Sequence, residues 1–475
     1  MFKNQRLEMA IIYCLVFFSG FANLATEIIG PRLVASLFGT TTVIWAIIIS
    51  VTLIGISVGY FLGGRVPAKR VAQALPAALI LNAIWLLGLS WFVWLIPAEV
   101  GAAGYASILV ISVAAFFLPA VLFSMTSPLV IAWLAAHRPA DTIARQVGNI
   151  YALGTLGSVL GALAAAFILI PWVGLTGSLR IFAAAAVVFA LPFLATQIRP
   201  AATAVLAALM LVGILLFPQP GFHPEEDFSA VLLEQTDGYY QTIRVYTDNS
   251  TYMRMDLGPT AHARMNLETH EPMHGYAVEM VRVAGDVQGK KVLIIGGAGH
   301  TQSRSLEKRG AIVTEVEIDP FVVDLSDQYF GKIQGQIVVQ DGRPYLEQLQ
   351  GQQYDLILVD AFDSIGAVPP QLTTQEFFQT VARTLTPQGR MIFNFIGVPA
   401  GPKSNAFRAL TTTMYSAFPV VAASRLEGDH LVNVVLVAAR QPLSDPAYQA
   451  APADGVVLTD DLNPIEIFAE QARGN

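Results

Sequence analysis

The chain has 475 residues, of which 54% are hydrophobic and 13% are charged, against about 25% charged residues in ordinary soluble domains. Residues 1–220 contain ten basic and four acidic residues, whereas residues 221–475 contain eighteen and thirty-one. The acidic second part argues against nucleic acid as a partner, because phosphate binding needs a basic face. The single cysteine, Cys14, excludes disulfides and a cysteine-based metal site.

Residues 1–220 are predicted to form an α-helical polytopic membrane domain. A bilayer crossing needs about 20 apolar residues. About seven segments approach this length: Ala10–Ile29, Val43–Gly63, Leu75–Ile96, Tyr105–Leu134, Ile150–Val173, Ile181–Thr196 and Ala201–Phe217. Pro119 and Pro128 interrupt the fourth, which is interpreted as a kinked helix or a helix with a re-entrant piece. No small-residue cleavage site follows Lys3 and Arg6, so we expect the first span to be uncleaved.

Small residues spaced four apart predict close helix packing in two of these segments. Without side chains, helix backbones can approach each other and gain dispersion contacts that lipid does not supply. The residues concerned are Gly55, Gly59 and Gly63 in the second segment, and Gly157 and Gly161 in the fifth.

The basic residues of the loops predict a topology that conflicts with the ligand expected for the second domain. Basic residues occur in alternate loops (Arg65, Lys69 and Arg70, then Arg138 and Arg145, then Arg199), which places those loops and the N-terminus in the cytoplasm. Seven crossings would then leave the second domain outside. The ligand that residues 296–317 of this domain predict is a cytosolic metabolite, so one of the assumptions must be wrong. We attribute the conflict to the span count, because the fourth segment is irregular. We expect a multi-pass protein of the inner (cell) membrane with its second domain in the cytoplasm.

Residues 221–475 are predicted to be soluble. Stretches at 230–235, 240–248 and 252–256 are rich in aromatic and β-branched residues and predict a small antiparallel β unit within residues 221–288. From residue 289 onward, strands alternate with helices, which indicates a mainly parallel, Rossmann-like α/β domain. The predicted strands are Lys291–Ile295, Ile312–Ile318, Gln336–Val339, Tyr354–Val359, Arg390–Phe395 and Val432–Ala438.

The first of these strands runs into the glycine loop 296–300, which precedes a helix. Gly296 and Gly297 allow the backbone to turn tightly and approach a ligand. Glu317 follows about 20 residues later at the end of the next strand, where a carboxylate can accept hydrogen bonds from ribose hydroxyls. The combination predicts a nucleoside-type ligand.

Further carboxylates follow the third and fourth strands. Asp341 precedes Gly342, and Asp360 is followed by Asp363 three residues later. Ligands of open α/β sheets bind outside the carboxyl ends of the strands, so Glu317 and these aspartates are expected to line one cleft. The alternative for each aspartate is to cap the following helix.

These residues resemble the spermidine synthase family of polyamine aminopropyltransferases over roughly residues 238–439. The matching pieces, in family order, are Tyr240-Gln241, the strand and glycines Val292–Gly297, Val316–Asp319, Asp341-Gly342 and Asp360-x-x-Asp363. The first half resembles the subset of the family that carries a polytopic domain in front. The pieces that carry this second resemblance are Glu27-x-x-x-Pro31-Arg32 and Gly148–Tyr151.

The resemblance implies a role for each matching side chain. Gln241 would contact the cofactor near its ribose or sulfonium, Glu317 would hold the ribose hydroxyls, and Asp341 would meet the adenine amino group. Asp360 would be the catalytic base. Asp363 and His274 would lie on the substrate side, with Asp363 holding a substrate ammonium.

The sequence departs from the family pattern at three places. Gly299, followed by His300, stands where the soluble enzymes have an acidic residue, Gly275 replaces a glutamate, and Ala367 replaces a proline. The first two changes remove negative charge from the substrate side of the cleft. We therefore expect weaker selectivity for decarboxylated S-adenosylmethionine over the ordinary compound than in soluble family members.

The resulting hypothesis is a membrane-bound aminopropyltransferase that uses decarboxylated S-adenosylmethionine and a small amine such as putrescine. A methyltransferase or other user of ordinary S-adenosylmethionine on the same fold stays open, as does a polyamine-responsive transporter or sensor. No metal is expected, because His262, His270 and His274 lack acidic or cysteine partners at matching spacing. The expected partners are the amine and the lipid bilayer, with no nucleic acid and with homo-oligomerisation left open.

Overall fold

The computed structural model describes residues 5–38, 42–96, 105–218, 230–248, 250–258, 260–349, 354–362, 367–424, 427, 429–443 and 445–473. The chain divides into two compact units, Met1–His223 and Pro224–Asn475. Each unit is described separately below.

The first unit is entirely helical in the part of the chain that the structure describes. Its α-helices are α1 Gln5–Phe38, α2 Thr42–Gly63, α3 Val71–Trp94, α4 Tyr105–Ser112, α5 Leu118–Ser124, α6 Thr126–His137, α7 Ala140–Ala164, α8 Ile170–Val173, α9 Leu175–Leu194 and α10 Pro200–Leu216. A π-helical turn at Val113–Phe117 joins α4 to α5, and another at Ala165–Leu169 joins α7 to α8.

Six helical segments among the described residues are long and apolar enough to cross a bilayer. They are Arg6–Ala35, Thr42–Gly63, Ala68–Val93, Ala106–His137, Ala140–Val173 and Leu175–Leu194. The seventh segment expected from the sequence forms the shorter apolar helix Pro200–Leu216. The fourth expected segment is one continuous, irregular helix rather than a helix with a separate re-entrant piece.

The predicted glycine positions do lie at close helix contacts. An added Cβ at Gly157 or Gly161 would overlap the carbonyl oxygen of Phe17 or Phe21 on α1. Gly59 meets the Val121 carbonyl of α5 in the same way. These glycines therefore allow α7 to pack on α1, and α2 to pack on α5, at backbone contact.

Proline explains part of the irregularity in the fourth segment. Pro119 has no N–H to donate to the carbonyl of Ala115, four residues before it. That carbonyl accepts a hydrogen bond from Trp85 Nε1 on α3 at 2.9 Å. A side chain of a neighbouring helix thus satisfies a backbone group that the proline leaves without its helical partner.

The second unit begins with a four-stranded antiparallel sheet in the order β1-β2-β3-β4. Its strands are β1 Val231–Asp237, β2 Thr242–Thr247, β3 Tyr252–Leu257 and β4 Thr260–Asn266. Buried side chains of this sheet, such as Ile243 and Met265, pack against Val322 and Phe330. The small β unit predicted from the sequence is confirmed, although β4 was not predicted.

An eight-stranded sheet forms the centre of the second unit, in the order β12-β10-β11-β9-β8-β5-β6-β7. Strands β5 to β9 pair in parallel with one another, whereas β11 is antiparallel to β9 and β10, and β12 is antiparallel to β10. The strands are β5 Lys291–Ile295, β6 Ile312–Glu317, β7 Gln336–Val339, β8 Tyr354–Val359, β9 Leu385–Gly397, β10 Val420–Ala423, β11 Val432–Ala439 and β12 Gln449–Ala450.

Helices cover both faces of this sheet. They are α11 Gly275–Ala284, α12 Thr301–Lys308, α13 Pro320–Tyr329, α14 Gly342–Gln348, α15 Gln375–Thr384, α16 Asn405–Tyr415 and α17 Ile465–Arg473. Alternate residues of β5 enter different cores, with Leu293 and Ile295 in one and Val292 and Ile294 in the other. The expected Rossmann-like fold is therefore confirmed, and the chain order reverses between β5 and β8.

Candidate active site

The glycine loop after β5 meets the end of β8 at this reversal. The Asp360 amide donates to the Ile295 carbonyl at 2.9 Å, and Gly296 has a φ of +95°. An added Cβ at Gly296 would overlap the carbonyl oxygen of Asp360. Only glycine therefore fits where these two strand ends pass each other.

Glu317 lies at the end of β6 and is held by backbone amides. Its Oε2 accepts from Gly297 at 2.9 Å, and its Oε1 accepts from Ile318 and Asp319 at 2.8 and 3.0 Å. Burial raises the pKa of Glu317 to about 6, although the backbone hydrogen bonds lower it. Because each carboxylate oxygen can accept about two hydrogen bonds, Oε2 retains capacity for a hydroxyl donor.

Asp341 follows β7 and caps α14. Its Oδ1 accepts from the Arg343 amide at 2.9 Å. The capping alternative considered from the sequence is therefore realised. Among the described residues, no hydrogen bond reaches Oδ2 of Asp341, so capping leaves one oxygen for a ligand. Gly342 is buried at the start of α14, where a Cβ would overlap the Ile295 side chain.

Asp360 is partly exposed at the end of β8, and side-chain amides contact both its oxygens. Asn394 Nδ2 on β9 donates to Oδ1 at 2.9 Å, and Gln302 Nε2 on α12 donates to Oδ2. Burial raises the pKa of Asp360 to about 6, and the two amides oppose this rise. A carboxylate with such a pKa can both accept and release a proton near neutral pH. Asp363 lies outside the described residues.

His274 and Tyr276 occupy the start of α11. Their rings stack with centroids 5.6 Å apart, and the Tyr276 hydroxyl donates to the His262 carbonyl at 3.0 Å. Burial, assisted by the positive charge of Arg264, lowers the pKa of His274 to about 4, so its imidazole is neutral at pH 7. Burial raises the pKa of Tyr276, and the charge of Asp360 adds to this rise, which indicates that the two side chains are close together.

Gln241 immediately precedes β2 and is half-buried. Its carbonyl accepts from the Gly238 amide at 3.0 Å, which closes the turn between β1 and β2. The hydrogen bonds described for Gln241 involve its backbone. Its expected contact with a cofactor therefore stays a prediction.

Gly299 and His300, where the resemblance suggests a loss of negative charge, both have positive φ angles. Gly299 has a φ of +67°, and an added Cβ would lie 2.6 Å from Ala263 Cβ of β4. His300 is buried with a φ of 50°, and its Nδ1 lies 2.6 Å from Glu315 Oε1. An aspartate at position 299 would thus need a different loop backbone.

Three residues near Asp360 were missed by the sequence reasoning: Gln302, Asn394 and Tyr276. Asn394 carried a usable signal, because it is a polar residue inside the apolar run 391–396 of a central strand. Gln302 carried none, since a glutamine on a helix is ordinary.

Among the described residues, no group of three or more His, Cys, Asp or Glu is arranged to hold a metal ion.

The fold and site define a doubly wound α/β domain with acidic residues at the ends of adjacent parallel strands. Residues 271–419 match the family model of the spermine/spermidine synthase domain. The sequence is 26% identical to the polyamine aminopropyltransferase of Corynebacterium efficiens over 61% of this chain and 59% of the relative. It is 25% identical to that of Mycobacterium tuberculosis over 58% of this chain and 56% of the relative.

The match thus spans less than two thirds of the length of these relatives. Among solved structures, a probable spermidine synthase from Corynebacterium glutamicum aligns with a TM-score of 0.41 and 18% identity, covering 51% of this chain and 95% of that one.

Proposed function

We propose that this protein is a membrane-bound polyamine aminopropyltransferase, which transfers an aminopropyl group from decarboxylated S-adenosylmethionine to an amine such as putrescine. The observation that carries the proposal is Asp360, a carboxylate at the strand reversal beside the glycine loop, with a pKa raised to about 6. Such a group can accept the proton that an amine must lose before it becomes a nucleophile.

Asp360 would act on the amine before the aminopropyl group is transferred. An alkylammonium has a pKa near 10.4 and no free electron pair. Asp360 first attracts this cation and then takes one proton from it. The amine nitrogen forms a bond to the aminopropyl carbon next to sulfur, while the carbon–sulfur bond breaks and its electrons stay on sulfur. The products are the extended amine, methylthioadenosine and a proton.

The remaining roles concern binding and orientation. Glu317 would hold the ribose diol, Asp341 Oδ2 would accept from the adenine amino group, and Gln241 would lie near the sulfonium. His274 and Asp363 would contact the amine. Holding nitrogen, carbon and sulfur in line would supply much of the remaining rate enhancement.

Product analysis of the purified full-length protein tests this function. The protein would be given each sulfonium compound with a panel of amines, and products would be identified by mass spectrometry. We expect aminopropylated amine and methylthioadenosine, and we expect Asp360→Asn to lower turnover roughly 10²–10⁴-fold. Wild-type rates in Asp360→Asn would contradict the role of this carboxylate.

A methyltransferase is the second candidate, because Gly275 stands where the family has a glutamate and has open space around the position of a Cβ. Without that charge, the carboxylate of ordinary S-adenosylmethionine meets less repulsion. Methylated amine formed from ordinary S-adenosylmethionine would select this candidate in the same assay. A transporter or sensor of polyamines would instead bind amine without turnover and would tolerate Asp360→Asn.

We further propose that the helical unit spans the inner membrane six times and that α10 does not cross. Six crossings place the N-terminus and the second unit on the same side, in agreement with the basic loops. The sequence has one cysteine, Cys14, so cysteines can be placed singly in a Cys14→Ser background. In intact cells, a membrane-impermeant maleimide should label Trp172→Cys but not the exposed position Lys332→Cys. Labelling of Lys332→Cys would place the second unit outside.

A further inference from the structure

Gln302 approaches Asp360 from the first turn of α12. Its side chain is 6% exposed, and its Nε2 donates to Asp360 Oδ2. Asn394 Nδ2 donates to Oδ1 from the other side at 2.9 Å. Each carboxylate oxygen of the proposed base therefore accepts one hydrogen bond from a neutral amide.

The orientation of the Gln302 amide is fixed at both ends. Thr301 Oγ1 donates to Gln302 Oε1 at 2.9 Å. A carboxylate has no hydrogen to donate when ionised, so it can only face the NH₂ end of the amide. Rotation of the amide by 180° would place oxygen against oxygen at Asp360 and would break the bond from Thr301. The donor on Asp360 is therefore preorganised.

We propose that Gln302 is a positioning residue that keeps Asp360 ionised and fixes the plane of its carboxylate for the attacking amine. The inference rests on the proposed function of Asp360 as base. Amide hydrogen bonds favour the charged form of a carboxylate, whereas the buried site disfavours it. Loss of the Gln302 donor should therefore make Asp360 harder to ionise.

The other groups around Asp360 do not replace this donor. Tyr276 of α11 is a neighbouring titratable group, and burial and then the charge of Asp360 raise its pKa. Glu315 and Glu317 of the neighbouring strand β6 are negative, and they are held by His300 and Ser303 and by backbone amides. Within the described part of the chain, no salt bridge joins Asp360 to a basic side chain.

The pH dependence of kcat/KM tests the inference. Gln302→Met keeps the side-chain length but removes the donor, so the acidic limb should move up by roughly one pH unit. With a wild-type pKa of about 6 for Asp360, kcat/KM should then fall roughly fivefold at pH 6 and recover toward wild type at pH 9. Gln302→Glu places a second carboxylate beside Asp360 and should move the limb further. Ser305→Ala on the same helix removes a donor to Glu271 and should leave the limb in place.

Several outcomes would overturn the inference without touching the proposed function. An unchanged acidic limb in Gln302→Met would do so, as would a loss of turnover that is equal at all pH values. Should Gln302→Met fail to fold, Thr301→Val decides, because it frees the amide to rotate and should shift the limb in the same direction. Wild-type activity of Asp360→Asn would instead reject the proposed base itself. Methylthioadenosine affinity should be unchanged in every Gln302 variant.

Discussion

The α-carbon of Gly296 lies so close to the carbonyl oxygen of Asp360 that a Cβ atom at position 296 would overlap this oxygen. Gly296→Ala should therefore displace the end of β8, and it also strains a backbone with a φ of +95°. We expect a loss of stability of about 2–4 kcal/mol, measured by chemical denaturation, together with loss of turnover.

Gly289→Ala is the matched control for this change. Gly289 has a φ of +69° but has open space around the position of a Cβ. It should show only the cost of backbone strain, about 1 kcal/mol, with near-normal turnover. Equal effects of the two substitutions would mean that contact with Asp360 is unimportant.

Glu317 offers a binding test that needs no chemistry. Removal of its carboxylate in Glu317→Ala should weaken methylthioadenosine binding by about 1.5–3 kcal/mol, as for hydrogen bonds to a charged group. Calorimetry measures this directly, and Asp324→Asn on the exposed side of α13 is the control. Unchanged affinity in Glu317→Ala would show that the glycine loop serves another ligand.

The buried pair of His300 and Glu315 predicts a pH-dependent contribution to stability. Burial opposes protonation of His300, but the hydrogen bond and charge of Glu315, together with those of Asp327, outweigh burial and raise the pKa of His300 above its ordinary value of 6.5. A raised histidine pKa gives stability that is fully present below pH 6.5 and is lost as pH rises through the folded-state pKa.

His300→Gln should therefore destabilise the second unit by about 3–5 kcal/mol at pH 6, because Glu315 is left buried without a cation. The difference from wild type should shrink at pH 9. His430→Gln is the control, since His430 is exposed beside Asp429. A difference in stability that grows with pH would refute the assignment of charge to His300.

Glycine spacing in α7 gives a prediction for the helical unit. Gly157→Ala should separate α7 from α1, because its Cβ would overlap the Phe17 carbonyl. Gly148→Ala on the same helix meets nothing within 4 Å and should be neutral or stabilising by up to about 1 kcal/mol. Thermal stability of the detergent-solubilised protein compares the two. Similar melting temperatures would contradict backbone contact between α1 and α7.

The strands and acidic strand ends of the second unit could be predicted because each signal is local. Strands β5, β7 and β8 are largely apolar, and Glu317, Asp341 and Asp360 lie at or within two residues of the ends of β6, β7 and β8. Strand β4 was missed although Ala263 and Met265 alternate with His262 and Arg264, as expected for a half-buried strand. Its apolar positions are mostly alanine, which has a low preference for strands.

The surroundings of the carboxylates could not be predicted, because they depend on chain folding over longer distances. Gln302 and Asn394 are 58 and 34 residues from Asp360 in sequence. The orientation of residues 299 and 300 follows from positive φ angles, which reverse the direction of a side chain relative to an ordinary turn. The sequence therefore predicted that carboxylates stand at the ends of neighbouring strands, but it did not predict the backbone conformation of residues 299 and 300.

The hydrogen bond from Trp85 to the Ala115 carbonyl has a consequence for biogenesis if the helical unit lies in lipid as proposed. A carbonyl that lacks its helical donor costs free energy when it is transferred into hydrocarbon. The fourth segment should therefore enter the bilayer more favourably when α3 is already packed against it. We therefore expect α3 and the fourth segment to be released together from the insertion machinery into the bilayer. Trp85→Phe, which removes the donor and keeps an aromatic ring, should delay release of the fourth segment in a cell-free insertion assay.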